Sequence, residues 1–241
     1  MPSQGAPEVS LVIPAFNEAH RLEASWHRLC TYLGTVQWSH EVILVVERST
    51  DGTLDLARRL TAGQAAFTVL GNETQRGKGH AVRDGMLRAE GEIAFFMDAD
   101  LSTPLEEIGR FLAVFAARPA TDILIGNRQH AMSRILQRQS WLRERMGHGF
   151  NAAMRRITGL PFTDTQCGFK AFRARVRRPL FEAQRVEGFA FDVELLLLAR
   201  KFGYVVEDLP VEWRNAAGSK VNLVRDSWRM LRDAWKLRGM R

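Results

Sequence analysis

The chain has 241 residues, is 46% apolar and 25% charged, and carries a formal net charge of +7 at pH 7. This length fits one α/β domain, and no apolar run approaches the roughly 20 residues needed to cross a bilayer. The first residues lack the basic start and apolar centre of a secretion signal, and Cys30 and Cys167 make neither a disulfide framework nor a zinc site. We therefore expect a single domain in a reducing compartment.

The positive charge calls for an anionic partner, which can be nucleic acid, anionic lipid or a phosphorylated substrate. The sequence has no zinc-finger spacing, no aromatic RNA-binding motif and no strong helix-turn-helix signature. Nucleic acid is therefore not expected as a partner, and phosphates of lipids or small molecules are favoured.

Short apolar runs alternate with amphipathic segments through the first half of the chain. The strand-like runs are 9–13, 42–46, 67–70 and 93–97, and the helical segments that follow them are 21–33, 54–60, 81–89 and 105–117. Strands of about five residues that alternate with helices of about ten to fifteen predict βαβ units and a largely parallel sheet. This half is typical of a nucleotide-binding fold.

The pattern changes after a further strand-like run at 122–126. Segment 133–157 is helical and basic with few strand formers, 165–172 is strand-like, 193–202 predicts a buried helix, 204–213 a strand and 221–237 a helix. No internal repeat or linker divides the chain, which again indicates one domain.

Two aspartates directly follow the apolar run 93–97. Open α/β sheets bind ligands at the carboxyl ends of their strands, where Asp98 and Asp100 would lie. Neighbouring carboxylates repel each other unless a cation or hydrogen-bond donors separate them, and oxygen ligands suit Mg²⁺ or Mn²⁺ that carries phosphates. The pair therefore predicts a nucleotide-diphosphate site. The alternative is a solvated loop in which Ser102 or Thr103 caps a helix that begins at Pro104.

Two further turns can contribute to this site. Segment 13–18, Ile-Pro-Ala-Phe-Asn-Glu, ends the first strand and is suited to a nucleoside, although Asn17 or Glu18 can equally cap the next helix. Segment 75–80, Gln-Arg-Gly-Lys-Gly-His, offers two cations and exposed N–H groups beside a helix amino terminus, which suits an anion. It lacks the spacing of a Walker motif.

Several motifs follow one another in a characteristic order: segment 13–18, Ser-Thr-Asp-Gly-Thr at 49–53, Arg-Gly-Lys-Gly at 76–79, Asp-Ala-Asp at 98–100 and Asp-Thr-Gln-Cys-Gly-Phe-Lys at 164–170. In this order the chain resembles the family-two glycosyltransferases of the GT-A fold over about 9–236. Within them it looks most similar to the polyprenyl-phosphate sugar transferases, with the branch that glucosylates dolichyl phosphate ahead of the mannosyl branch. The resemblance implies a three-layer α/β/α domain with a mostly parallel mixed sheet.

The resemblance divides the single domain 1–241 into a nucleotide-sugar half at about 9–127, an acceptor half at about 128–220 and a basic amphipathic helix at 221–241. It implies an inverting transfer of a hexose, glucose from UDP-glucose as the first choice, to a polyprenyl or dolichyl phosphate with the help of Mg²⁺ or Mn²⁺. One alternative is a soluble or glycan hydroxyl acceptor, for which Asp192 would be the general base. Another is a non-catalytic basic adaptor that keeps the fold.

The resemblance also implies roles for individual residues. The donor site would comprise Pro14, Ala15, Asn17, Glu18, Glu47, Arg76, Gly77, Lys78, Asp98, Ala99 and Asp100, with Asp98 and Asp100 as metal ligands. The acceptor phosphate would be bound by Arg128, Arg134, Gln166, Lys170 and Arg173, and a cover over the donor would include Trp213, Ser219 and Lys220. Asp100 and Asp192 would be catalytic. Because a phosphate acceptor is already ionised, the role of Asp192 can be positional, or it can cap the helix that follows.

One departure from the family concerns the positions after the second strand, which usually hold two acids and a glycine. Here they hold Val46, Glu47 and Arg48. A valine side chain cannot accept a hydrogen bond from a nucleobase, so the identity of the base stays open. Glu47 is expected to reach toward the base or the ribose. Ser102 stands where mannosyl relatives have glutamine, so water is expected to complete the metal shell.

A lipid-linked acceptor requires contact with a membrane. Along 221–241, apolar side chains recur every three or four residues among arginines and a lysine: Val224, Trp228, Leu231 and Trp235. This pattern predicts an interfacial helix, and segment 133–156, with Trp141, Met146 and Phe150, a second contact. The expected location is cytoplasmic, attached peripherally to the inner face of the membrane. The alternative is that the apolar stripe packs on the domain's own sheet.

Overall fold

The structure is a computed structural model that describes residues 5–137, 141–214 and 223–240. Within them, the main sheet contains β1 (Val9–Ala15), β2 (His40–Val46), β3 (Phe67–Gly71), β4 (Ile93–Met97), β5 (Ile123–Asn127), β7 (Phe169–Arg173) and β8 (Val206–Pro210). A small second sheet pairs β6 (Arg134–Gln137) with β9 (Glu212–Arg214). The helices are α1 (Ala19–Leu33), α2 (Thr53–Thr61), α3 (Lys78–Arg88), α4 (Glu106–Ala117), α5 (Trp141–Thr158), α6 (Ala174–Ala183), α7 (Phe191–Lys201) and α8 (Leu223–Leu237), which a 3₁₀ turn (Arg238–Met240) follows.

The strand order in the main sheet is β3-β2-β1-β4-β7-β5-β8. All neighbouring pairs are parallel except those of β7, which runs antiparallel to both β4 and β5. In the β4–β7 register Met97 pairs with Phe169 and Ile93 with Arg173. The start of β7 therefore lies at the same edge as the end of β4, so the segment before β7 reaches the edge that carries Asp98.

Helices cover both faces of the sheet, and β4 shows how the sequence specifies this. Successive strand residues point to opposite faces, and both faces of β4 are apolar. Phe95 packs against Phe111 of α4, with ring centroids 6.2 Å apart, and Phe96 packs against Phe191 of α7 at 5.5 Å. Full burial of such a side chain contributes roughly 1.5–3 kcal/mol. The expected three-layer α/β/α fold with a mostly parallel mixed sheet is thus confirmed.

The second half differs from the sequence expectation in its details. Segment 133–157 was expected to be helical throughout, but β6 precedes α5 because it finds a partner in β9. The strand expected over 165–172 begins only at Phe169, and α6 was not predicted. No helix in the described part of the chain is long and apolar enough to span a membrane.

Candidate active site

A cavity of about 700 Å³ opens where the parallel strands end. Its wall includes nearly all of the donor residues expected from the sequence: Pro14, Ala15, Glu18, Glu47, Arg76, Gly77, Lys78, Asp98, Ala99 and Asp100. The exception is Asn17, whose backbone adopts a positive φ of 52° and whose side-chain oxygen accepts the N–H of Thr50 at 2.8 Å. Asn17 therefore joins the loops after β1 and β2 and does not line the cavity.

Asp98 and Asp100 lie together at the end of β4 and already have cationic neighbours. The ammonium of Lys78 is 2.5 Å from Asp98 Oδ1, and the guanidinium of Arg21 is 3.8 Å from Asp100 Oδ2. Burial, and after it the charge of Asp98, raises the pKa of Asp100 above its ordinary value. A divalent cation at this pair would relieve that mutual repulsion.

The donor set suits a metal ion that is shared with phosphates. No cluster of three or more His, Cys, Asp or Glu that could hold a metal occurs among the described residues. Mg²⁺ is commonly held by one or two carboxylates together with substrate phosphates and water, so two aspartates are sufficient. The cap expected in the alternative, from Ser102 or Thr103 to a helix at Pro104, is not formed: α4 begins at Glu106 with Leu105 at its N-cap position, and no side chain caps it.

Glu47 does not point freely toward a ligand, contrary to expectation. The residue is 2% exposed, and its carboxylate accepts the backbone N–H groups of Arg76 at 2.6 Å and Gly77 at 3.1 Å. It also contacts Asn72 Nδ2 at 2.8 Å and His80 Nδ1 at 3.0 Å. Burial opposes ionisation, but these hydrogen bonds outweigh it and lower the pKa of Glu47. Its oxygens are thus used inside the protein, and Val46 beside it is buried.

The segment before β7 is packed directly against Asp98. A Cβ at Gly168 would lie 2.1 Å from Asp98 Oδ2, so any other residue at this position would displace the Asp98 carboxylate. Asp164 anchors the same segment through Arg128, whose Nε and second terminal nitrogen lie 2.7 and 2.9 Å from its oxygens. Burial raises the pKa of the Cys167 thiol to about 11, which leaves it unreactive.

The residues expected to bind the acceptor phosphate have different positions. Arg134 lies on β6 with an exposed side chain, and the buried Gln166 Nε2 has no hydrogen-bond partner. Arg128 is paired with Asp164 and lies 5.7 Å from the ring centroid of Trp213. Arg128, Arg134 and Gln166 therefore stay candidates.

Two residues that were expected to bind the acceptor phosphate, Lys170 and Arg173, are not positioned to do so. Arg173 ends β7 at the opposite edge of the sheet, where it donates to the carbonyls of Thr121 and Phe115. Lys170 is fully buried because its ammonium pairs with Asp192 at 2.5 Å and donates to the Cys167 carbonyl at 2.6 Å. Both assignments are corrected by these contacts.

Asp192 lies in the first turn of α7. It is 3% exposed, and burial raises its pKa despite the nearby charges of Lys170 and Lys78. Its carboxylate is engaged by Lys170, so the structure places it in an internal ion pair and not at a free surface. This arrangement agrees with the positional role that was considered for it.

Helix α8 supplies cavity residues that sequence reasoning missed. Arg229, Met230 and Asp233 face the cavity, while Trp228 and Trp235 are 70% and 55% exposed. The amphipathic pattern of this segment was interpreted as a membrane helix or as a stripe packed on the domain's own sheet, and neither interpretation included a contribution to the donor cavity. In the expected cover, Trp213 lies on β9, and Ser219 and Lys220 lie outside the described residues.

This fold and site define the class of enzymes that transfer a sugar from a nucleotide donor. Residues 10–181 match the sequence model of Glycosyl transferase family 2, and the chain belongs to that family. It is 34% identical over 241 residues to a dolichyl-phosphate β-glucosyltransferase of Drosophila melanogaster, covering 95% of this chain and 74% of the relative. The human dolichyl-phosphate β-glucosyltransferase is 30% identical over 252 residues, covering 95% and 78%.

Solved structures of other sugar transferases share the fold. Glucosyl-3-phosphoglycerate synthase from Mycobacterium tuberculosis, crystallised with Mn²⁺, UDP and glucosyl-3-phosphoglycerate, superposes with a TM-score of 0.67 at 20% identity, over 96% of this chain and 80% of that one. Mannosyl-3-phosphoglycerate synthase from Rubrobacter xylanophilus gives 0.66 at 19% identity, over 97% and 74%. The expected family, fold and enzyme class are confirmed.

Proposed function

We propose that this protein transfers glucose from UDP-glucose to a dolichyl or polyprenyl phosphate with inversion at the sugar. The observation that carries the proposal is the cavity at the strand ends, where Asp98, Asp100 and Lys78 meet, in a chain that aligns over 95% of its length with a dolichyl-phosphate β-glucosyltransferase. UDP as the nucleotide is supported by the bound UDP of the Mycobacterium tuberculosis enzyme of the same fold.

Asp98 and Asp100 would hold Mg²⁺ or Mn²⁺, which would supply Lewis-acid stabilisation of the departing nucleoside diphosphate. Lys78 adds a cation beside Asp98 and lies at the amino terminus of α3, where backbone N–H groups favour anions. The negative charge that develops on the leaving group therefore meets positive groups fixed before the reaction.

The acceptor needs no general base. An acceptor phosphate oxygen forms the new bond to the anomeric carbon while the bond to the diphosphate oxygen breaks, so no proton has to leave the nucleophile. This agrees with an Asp192 that is buried and paired with Lys170. A hydroxyl acceptor would require an accessible base, which Asp192 does not provide in this state.

We also propose that the protein attaches peripherally to the cytoplasmic surface of a membrane. The exposed Trp228 and Trp235 on α8, with Arg238 3.7 Å from the ring centroid of Trp235, form an apolar and cationic surface of the kind that binds at lipid headgroups. On the same helix Met230 and Ala234 are buried. One side of α8 thus packs into the protein core, and the two tryptophans lie on the surface.

The test is a matrix of donors and acceptors. Purified protein with Mn²⁺ or Mg²⁺ would be given UDP-glucose, UDP-galactose or GDP-mannose, each with dolichyl phosphate, undecaprenyl phosphate, 3-phosphoglycerate or an alkyl glucoside. The proposal expects turnover with UDP-glucose and a polyprenyl phosphate, lost with EDTA. Glucosylation of phosphoglycerate or the alkyl glucoside in preference to lipid phosphate would contradict the acceptor, and preference for another donor would contradict the sugar.

A further inference from the structure

Glu47 directly follows β2, where the family resemblance implies an acid, but its contacts face inward. One carboxylate oxygen accepts two consecutive backbone N–H groups, from Arg76 and Gly77, and the other contacts Asn72 and His80. Bonds from backbone donors to an ionised carboxylate are among the strong ones. The carboxylate therefore fixes the backbone of the turn at 75–78, which connects the loop after β3 to α3.

The opposite side of this turn is fixed as tightly. A Cβ at Gly77, whose φ is +128°, would lie 2.6 Å from the carbonyl oxygen of Glu187, and one at Gly79 would lie 2.6 Å from that of Val186. The N–H of His80 donates to the same Glu187 carbonyl at 3.1 Å. The turn is thus clamped between Glu47 on one side and segment 186–188 on the other.

The turn ends in the groups that face the donor's charge. Lys78 is the first residue of α3, and its ammonium reaches Asp98 at 2.5 Å. A shift of the turn by about 1 Å would misplace both the ammonium and the helix amino terminus, and misplacement on this scale can cost about a hundredfold in rate.

We propose that Glu47 is a positioning residue for the donor diphosphate: it holds the turn at 75–78 so that Lys78 and the amino terminus of α3 meet the pyrophosphate, and it does not read the nucleobase. This inference rests on the proposed function for the identity of the donor. In this role Glu47 places the groups that bind the diphosphate. A change of Glu47 should therefore lower the affinity for the diphosphate and leave the affinity for the nucleoside nearly unchanged.

Glu47→Gln is the direct test because it keeps the size of the side chain. The amide then turns an N–H₂ group either toward the two backbone donors or toward Asn72 and His80, and the negative charge that strengthens the bonds to the backbone N–H groups is lost, so the turn is held less firmly. Binding of UDP with Mn²⁺ would be measured by calorimetry and binding of uridine by NMR titration, for wild type and variant. We expect UDP affinity to fall at least tenfold while uridine affinity changes less than twofold. An equal loss for both ligands would overturn the inference, because it would mean that Glu47 contacts the nucleoside.

The controls separate this result from general effects. Glu73→Gln removes the same charge from an exposed position on the same loop and should leave both affinities unchanged. If Glu47→Gln does not fold, Asn72→Ala removes one of the partners of Glu47 and should lower UDP affinity in the same selective way by a smaller factor. Unchanged UDP affinity in the folded variant would refute the positioning role. Failure of wild type to bind any nucleoside diphosphate would instead refute the proposed function.

Discussion

Gly168 shows how a single missing side chain shapes the site. A Cβ there would overlap Asp98, so Gly168→Ala should displace that aspartate and cost about 1–3 kcal/mol of folding stability through overpacking. We expect the variant to fold but to lose most of the Mn²⁺-dependent stabilisation by UDP in thermal unfolding. Gly109→Ala is the control, since a Cβ at this exposed helical position meets nothing within 4 Å. Normal Mn²⁺-dependent stabilisation of Gly168→Ala would contradict the close approach.

The Lys170–Asp192 pair makes a second prediction at this scale. Removal of one partner of a buried pair leaves an uncompensated charge and typically costs 3–5 kcal/mol, whereas replacement of both by apolar groups costs less. Lys170→Met should therefore lower the free energy of unfolding by about this amount, and Lys170→Met with Asp192→Leu should cost less than the sum of the two single changes. Urea unfolding of the four proteins measures the coupling, and strict additivity would show that the ions do not interact.

The lowered pKa of Glu47 gives a pH dependence with a definite sign. The pKa of Glu47 in the folded protein lies below its ordinary value of 4.5. Ionised Glu47 therefore stabilises the folded state at pH values above 4.5, and this contribution to the free energy of unfolding is lost as pH falls through the folded pKa. Glu47→Gln should thus be less stable than wild type by about 1–3 kcal/mol at pH 7, and the difference should shrink as pH falls below 4.5 toward the folded pKa. Urea unfolding at a series of pH values measures it. A constant difference would mean that burial, not ionisation, sets the effect.

The candidate site was predictable where a residue's position follows from its place at a strand end. Asp98, Lys78 and Pro14 follow or flank strands that the apolar runs predicted, and the structure brings them to one cavity. Lys170 and Arg173 were misplaced because their exposure depends on the partner and the direction of β7. Neither property can be predicted from the local sequence, because the partner and direction of a strand are set by contacts with distant parts of the chain.

Helix α8 is the element whose two faces have different tasks. Trp228→Ala with Trp235→Ala should reduce binding to anionic vesicles at least tenfold, because both rings are exposed and are expected to enter the headgroup region. Cosedimentation with vesicles of phosphatidylcholine and phosphatidylglycerol measures this. Phe202→Ala, an exposed aromatic ring just before the amino end of β8, should bind like wild type. Full vesicle binding by the double variant would contradict attachment through α8.

At the scale of elements, the first half of the fold was predictable in nearly all its members, because apolar strands and amphipathic helices alternate with distinct periods. The second half was less so. β6 and β9 are short strands that exist because they pair with each other, and a pairing of this kind across distant parts of the chain leaves no periodic signal.

The whole molecule carries a formal charge of +7, which should make the proposed attachment to membranes sensitive to salt. Electrostatic attraction to anionic lipid is screened over about 10 Å at 0.1 M salt and about 3 Å at 1 M. Vesicle binding should therefore weaken severalfold between 0.05 and 0.5 M NaCl, whereas binding of UDP inside the cavity should change less. The same cosedimentation assay measures the first quantity and calorimetry the second. Vesicle binding that does not respond to salt would assign the attachment to apolar contacts alone.

The reversed direction of β7 has a consequence for how this architecture tolerates variation in length. Each parallel strand ends at the edge of the sheet that carries the site. Residues inserted after such a strand therefore lie at this edge, and residues inserted before it do not. At β7 the order is inverted, and the residues ahead of the strand are the ones in contact with Asp98. Extra residues placed upstream of Phe169 would therefore disturb turnover, while the downstream junction near Arg173 can change with little effect on it.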